Sequence, residues 1–134
     1  MNKLKAEIVR IDSSKDISLV DLKVKNDIFS CVVIETPETA DYLKIVNQVT
    51  ILFKETEVAI GKNLSGEISL RNRVQSIIKH IEKGEVLTRL VLDYEGVDIG
   101  SIITTRSANR LKLEKGDEVV GLIKANEVSI LEGD

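Results

Sequence analysis

The residues of this chain that could do chemistry together are hydrogen-bond donors. Thr104 and Ser107 stand three residues apart at the predicted start of a short helix, where free backbone N–H groups and the helix dipole favour negative charge. Lys124 ends the apolar strand predicted over 119–123. Donors without carboxylates suit an oxyanion, which only accepts hydrogen bonds. The alternative is structural: Thr104 and Ser107 cap their own helix, and Lys124 is a surface lysine.

Catalytic residues are scarce in this sequence. His80 is the only histidine and is expected on the surface of a strand. Cys31 is the only cysteine, and its apolar neighbours predict a buried thiol. A lone histidine cannot serve a nucleophile and a metal site together, and no glycine-rich phosphate loop is present. We therefore predict a protein that is not an enzyme and that holds no bare metal cation.

Composition narrows the range of partners. Of the 134 residues 43% are hydrophobic and 31% are charged, which is typical of a folded globular chain. The 19 Lys and Arg against 22 Asp and Glu, with 3% aromatic residues, disfavour nucleic acid as a direct partner. The sequence has no apolar run approaching 18 residues and no signal-peptide segment after Met1. We expect a cytoplasmic protein that has no membrane partner.

An internal repeat organises the chain. Residues 52–60 (LFKETEVAI) recur as residues 122–130 (LIKANEVSI), so that Lys54 matches Lys124. The match extends to both starts and both middles, where the first copy carries a two-residue excess. We therefore divide the sequence into two tandem domains, 1–61 and 67–134.

Each copy is predicted to be rich in strands. Alternating apolar residues indicate half-buried strands, and Gly84, Gly96 and Gly116 lie between them where tight turns belong. A helix is expected after the third strand of each copy, over 36–43 (with Pro37 at its first position) and 104–111. The predicted strands are 4–12, 16–24, 28–34, 48–54 and 57–61, then 74–82, 86–94, 97–103, 118–124 and 127–131. This order predicts an all-β fold with short helices, built as two five-stranded OB-like barrels.

The same residues carry a family resemblance. Ser69-Leu70-Arg71-Asn72, Thr104-Thr105-Arg106-Ser107 and Lys124-Ala125 resemble the motifs of molybdate-binding TOBE (Mop) domains. The resemblance covers 69–131 throughout and reaches 3–61 through the repeat. Two tandem copies are similar to the di-Mop molbindins and to the effector region of the molybdate-responsive transcriptional regulator.

The resemblance implies a ligand and the residues that bind it. The ligand is molybdate or tungstate, a tetrahedral dianion bound by hydroxyls, cations and backbone N–H groups. Asn72 completes the opening motif with an expected structural role, and Leu70 stands where the family usually has Ala. Family sites lie between domains or subunits, which implies a homo-oligomer, either a dimer or a trimer. The implied ligand residues are Ser69, Arg71, Asn72, Thr104, Ser107, Lys124 and Ala125.

The first copy departs from the family pattern in one direction. It lacks the Ser and Arg of the opening motif, and Glu38 and Glu55 stand where the second copy has Arg106 and Ala125. A carboxylate within ~5 Å of a dianion repels it. Three residues survive as a possible weak second site: Thr36, Thr39 and Lys54.

These features together predict a cytoplasmic protein of molybdenum homeostasis that stores or buffers molybdate. Two alternatives remain open. The chain could be the sensing part of a molybdate-responsive regulator, which would need a further DNA-binding domain because no helix-turn-helix segment is found. It could also be a TOBE interaction module, associated with an ABC transporter, that has lost its ligand.

Overall fold

The computed structural model describes residues 1–132, which fold mainly as strands. One α-helix, α1, spans Thr105–Arg110, and two 3₁₀ helices span Glu55–Glu57 and Ala125–Glu127. The predicted all-β class, with five strands in each curled sheet, is confirmed. The strands are β1 Asn2–Ser14, β2 Ile17–Val24, β3 Asp27–Val33, β4 Gln48–Phe53, β5 Ala59–Gly61, β6 Asn72–Lys83, β7 Leu87–Tyr94, β8 Val97–Thr104, β9 Glu118–Ile123 and β10 Ser129–Leu131.

The chain forms two compact units that exchange their closing strands. Unit 1 contains residues 1–2 and 54–123, and unit 2 contains residues 3–53 and the described chain from Lys124 onward. The sheet of unit 1 has the order β5-β9-β6-β7-β8, and that of unit 2 has the order β10-β4-β1-β2-β3. The last strand of each sequence copy therefore completes the sheet built from the other copy.

Both exchanged strands are antiparallel and pair in the same way. Ala59 lies opposite Leu122 in unit 1, and Ser129 lies opposite Leu52 in unit 2. Each strand is only three residues long. Each is preceded by a 3₁₀ helix, which the sequence analysis did not predict.

Alternation explains the long first strand of each sheet. Along β6 the side chains of Asn72, Val74, Ser76 and Ile78 are buried while those between them are half-buried or exposed. A bulge between Ile78 and His80 then breaks the register with β7. A bulge bends a strand and increases its twist, so a single strand can follow a curled sheet. β1 has the equivalent bulge between Ile8 and Arg10.

The β7–β8 hairpin has a two-residue turn whose backbone matches the strand twist. Glu95 and Gly96 have φ values of 48° and 90°. Two successive residues with positive φ characterise a type I′ turn, which favours glycine at its second position. The turn fixes the β7–β8 register through Leu87 opposite Thr104.

Each unit has its own apolar core. In unit 1 the fully buried side chains include those of Ile78, Leu90, Leu92, Tyr94, Ile99 and Ile123, and in unit 2 those of Ile8, Leu22, Phe29, Leu43, Ile51 and Phe53. The prediction for Cys31 is confirmed, because its side chain is fully buried in unit 2 and its Sγ donates to the Val128 carbonyl at 3.3 Å. His80 lies exposed on β6, as predicted.

The helix predicted over 36–43 is wrong, since this segment forms turns. The amides of Thr39 and Ala40 both donate to the Thr36 carbonyl, and no further helical turn follows. The connection that leads from this segment to the next strand is two residues shorter than its counterpart in the second copy. Pro37 fits the start of a helix, but a start signal does not supply a C-terminal cap.

Candidate anion-binding site

The Thr104–Ser107 turn of unit 1 has the geometry of a capped helix start. Thr104 has extended φ and ψ angles, and its Oγ1 accepts a hydrogen bond from the Ser107 amide at 3.1 Å. Thr104 is exposed and Ser107 is half-buried. The Thr104 hydroxyl oxygen therefore caps its own helix, which was the structural alternative. The hydroxyl proton remains available to an acceptor.

Thr105 anchors the start of α1 to the turn between β6 and β7. Its amide donates to the Val86 carbonyl at 2.8 Å, and its hydroxyl donates to the Gly84 carbonyl at 2.8 Å. The same hydroxyl lies 2.8 Å from that of Thr88. These contacts fix the helix start against the β6–β7 turn and against β7, so the donors of the turn are held in place.

A cleft of about 390 Å³ opens beside this turn. It is lined by Thr104, Arg106, Glu85 and Val86. No ion pair joins Arg106 to Glu85 within residues 1–132. Arg106 is the second residue of α1, where the helix dipole disfavours a cation. An anion in the cleft would relieve this unfavourable charge, whereas the Glu85 carboxylate would oppose the anion.

The opening motif lies at the other end of the sheet of unit 1. Asn72 begins β6 and lies opposite Ile123, the last residue of β9. Arg71 directly precedes Asn72, and Lys124 directly follows Ile123. Arg71, Lys124 and Ser69 are exposed, whereas Asn72 is fully buried. The burial of Asn72 fits the structural role expected for it.

The two groups of predicted ligands lie at opposite ends of β6. Lys83, the last residue of β6, donates from Nζ to the Asn109 side chain of α1 at 2.8 Å, so α1 lies at that end. The 12 residues of β6 cover roughly 35–40 Å along the strand, at about 3.3 Å per residue. A tetrahedral oxyanion contacts donors only about 3 Å from its oxygens. Ser69 and Arg71 therefore lie at the opposite end of β6 from Thr104 and Ser107.

The strand exchange also separates the residues of each sequence copy. Lys124 and Ala125 belong to unit 2 with Thr36 and Thr39, and Lys54 belongs to unit 1 with Thr104 and Ser107. In unit 2 the Thr36 amide donates to the Thr39 hydroxyl at 2.9 Å, which reverses the capping bond found at Thr104. The first-copy turn thus uses one hydroxyl as an internal acceptor.

Glu55 forms an ion pair with the N-terminal ammonium, which belongs to the same unit. The Met1 ammonium donates to Glu55 Oε1 at 3.0 Å, and this hydrogen bond is the main reason why the pKa of Glu55 is lowered. Glu38 is exposed on the first-copy turn. The two carboxylates therefore have different surroundings, and only Glu38 lies on the turn that carries Thr36 and Thr39.

Two residues of the cleft were absent from the predicted ligand set. Arg106 differs between the copies, and this difference is a sequence signal that could have added it to the set. Glu85 has no comparable signal, because it comes beside Thr104 only when β7 pairs with β8. Within residues 1–132, no group of His, Cys, Asp and Glu is arranged to hold a metal ion. No helix in that part of the chain is long and apolar enough to cross a membrane.

Comparison with known proteins gives one family match and several relatives. Residues 68–130 match the model of the TOBE domain. The chain is 35% identical over 65 residues to molybdenum-pterin-binding protein 3 of Clostridium pasteurianum, and the match covers 48% of this chain and 96% of that protein. It is 34% identical over 87 residues to the molybdenum import ATP-binding protein ModC of Brucella abortus (strain 2308), covering 64% of this chain. That match spans only 24% of the length of ModC.

A solved structure shares the fold over nearly the whole chain. The cytoplasmic molybdate-binding protein ModG, in a form with molybdate bound, superposes with a TM-score of 0.88. The match covers 96% of this chain and 94% of that one, at 24% sequence identity. At this identity the likeness establishes the fold.

Proposed function

Because this chain belongs to the TOBE-domain family, we propose that it binds molybdate or tungstate and stores or buffers the anion in the cytoplasm. The observation that carries the proposal is the donor chemistry of the motif residues. Ser69, Arg71, Thr104, Ser107 and Lys124 offer hydroxyls and cations, and none of them is a carboxylate. A fully deprotonated tetrahedral dianion accepts hydrogen bonds and donates none, so this set suits it. The names of two relatives, which refer to molybdenum, support the same ligand.

A complete site, in this proposal, requires a second copy of the chain. Ser69 and Arg71 lie at one end of β6 and Thr104 at the other, and we propose that one anion within unit 1 reaches only one group. A second copy that presents its Thr104 turn to the Arg71 end of the first would join the two groups. Closed symmetry would repeat this contact in every copy and satisfies the predicted dimer or trimer.

Isothermal titration with molybdate, tungstate and sulfate tests the ligand. We expect both metal oxyanions to bind tightly and sulfate, which is a smaller tetrahedral dianion, to bind weakly. Absence of heat with all three anions would refute the proposal and favour an interaction module without ligand. Cell fractionation followed by immunoblotting tests the cytoplasmic location.

Lys124→Ala tests the lysine of the motif. Loss of a charge-assisted hydrogen bond to a dianion costs about 1.5–3 kcal/mol, so affinity should fall roughly tenfold or more. Lys79→Ala is the matched control, because Lys79 pairs with Asp98 at 2.9 Å on the surface of unit 1. Equal affinities of the two variants would remove Lys124 from the site.

Light scattering coupled to size exclusion tests the assembly. We expect the mass of a dimer or trimer, and Arg71→Ala should lower molybdate affinity in that assembly. A monomer mass at saturating molybdate, with tight binding retained, would refute the need for a second copy.

The first copy is proposed to add a weaker site at most. Thr36, Thr39 and Lys54 keep part of the donor set, and Glu38 opposes an anion beside the first-copy turn. Glu38→Arg should therefore add weak sites that appear most clearly at low ionic strength, where screening is least. An unchanged stoichiometry at low salt would count against a site in the first copy.

A further inference from the structure

The end of α1 is closed by a backbone cap that glycine usually makes. The Leu113 amide donates to the Ala108 carbonyl at 3.1 Å, and the Lys112 amide donates to the Asn109 carbonyl at 3.0 Å. This pair of bonds defines a Schellman cap, with Lys112 in the left-handed position at φ 52°. A residue with a Cβ is disfavoured there, so the cap needs support from elsewhere.

Lys62 supplies that support from outside the helix. Its Nζ donates to the carbonyls of Leu111 and Lys112 and to Asp117 Oδ2, at 3.1 Å each. Asp117 Oδ2 also accepts the Glu114 amide at 2.9 Å, so the same carboxylate holds the loop that leaves α1. A cation at a helix C-terminus is favourable because the last carbonyls carry negative partial charge. All of these residues belong to unit 1.

Unit 2 has the opposite charge at the equivalent position and lacks the helix. By the repeat offset, Lys62 corresponds to Glu132 and Asp117 to Asn47. Glu132 lies near enough to Tyr42 to contribute to the raised pKa of that phenol, whose main cause is burial. A carboxylate beside the end of a helical segment is unfavourable. The segment 36–43 accordingly forms turns.

We infer that Lys62 is a positioning residue, which holds α1 and thereby aligns the Thr104–Ser107 turn for the anion. It follows β5, the strand that the first sequence copy contributes to unit 1. The first copy therefore keeps a role in binding even where its own ligand residues are degenerate. This inference rests on the proposed molybdate site, and Lys62 itself need not touch the ligand.

Amide hydrogen exchange of the ligand-free protein tests the positioning role without any ligand. Lys62→Ala should raise the exchange rates of the Leu111, Lys112 and Leu113 amides about tenfold or more, because local opening exposes them. Lys62→Arg should restore most of the protection, and Lys79→Ala, which removes a surface Lys–Asp pair, should leave it unchanged. Protection that stays the same in Lys62→Ala would overturn the inference.

Molybdate titration of the same variants tests whether the contacts of Lys62 affect anion binding. Lys62→Ala should weaken binding about tenfold at a temperature where the variant is folded. In a Thr104→Ala background the same change should cost little further affinity, because the turn that Lys62 aligns has already lost its hydroxyl. If Lys62→Ala weakens molybdate binding as much in the Thr104→Ala background as in the parent, Lys62 acts independently of the turn. That result would overturn the inference.

Two further outcomes keep the test decisive. If Lys62→Ala does not fold, Asp117→Asn is tested instead. It removes only the carboxylate that Lys62 contacts, so it should give a smaller loss of protection at the same amides. If the parent protein binds no molybdate, the proposed function fails, and hydrogen exchange alone then decides whether Lys62 holds α1. Unchanged exchange in both variants would overturn the positioning role.

Discussion

Replacing Thr104 by valine removes the hydroxyl oxygen that caps α1 and keeps the shape of the side chain. In unit 1 this oxygen accepts the Ser107 amide at 3.1 Å, and no other side chain caps the first turn. Loss of an N-cap hydroxyl costs about 0.5–2 kcal/mol. Thr104 is exposed, so water replaces part of the lost bond, and we expect about 1 kcal/mol. For a chain of this size that corresponds to roughly 3–6 °C in the melting temperature.

Thr36→Val is the matched control for this experiment. Thr36 stands at the corresponding position of the first-copy turn, where no helix follows. Circular dichroism melts of both variants and the parent should show a clear loss for Thr104→Val and a smaller one for Thr36→Val. Thr104→Ser should recover most of the stability, because serine caps at least as well as threonine. Equal losses in the two copies would refute the assignment of a capping role to Thr104.

Three further predictions concern the cleft and the two cores. Glu85→Gln should tighten molybdate binding about two- to fivefold at low salt and less at high salt, as measured by titration, because it removes a carboxylate from the cleft beside Thr104. Burial raises the pKa of the Cys31 thiol to about 12, so iodoacetamide should not label the folded protein at pH 8. The thiol of the unfolded chain ionises near pH 8.5, so the free energy of unfolding should decline as the pH rises from about 8.5 towards 12. Gly121→Ala should cost about 1–3 kcal/mol in urea unfolding, because its Cβ would lie 2.5 Å from Val74 Cγ2.

The strands of each copy could be predicted because their signal is local. Alternation along Leu87–Tyr94 sets which side chains are buried, and the structure keeps that pattern. The segment 36–43 could not be predicted in the same way, since its helix would need a cap from residues distant in sequence. The counterpart of that cap in unit 1 is Lys62, which contacts Leu111 from 49 residues away.

The strand exchange was hidden by the repeat itself. Residues 54–61 and 124–131 have similar sequences, so either segment satisfies the pairing pattern of either sheet. Val58 and Val128 are equally well buried, each in the unit built mainly from the other copy. Local sequence cannot decide between two equivalent partners. For the same reason the ligand residues of one copy were expected in one place, whereas Thr104 and Lys124 fall in different units.

The exchanged strands also determine when each sheet can be finished during synthesis. β4 receives its neighbour β10 only after residues 129–131 have been made, although β1 to β3 are complete by residue 33. Until then the edge of β4 is unpaired on a ribosome-bound chain, and unpaired edges recruit strands from other chains. On a polysome, neighbouring nascent chains carry the same β10 sequence. The pairing that completes one molecule can therefore also link two of them.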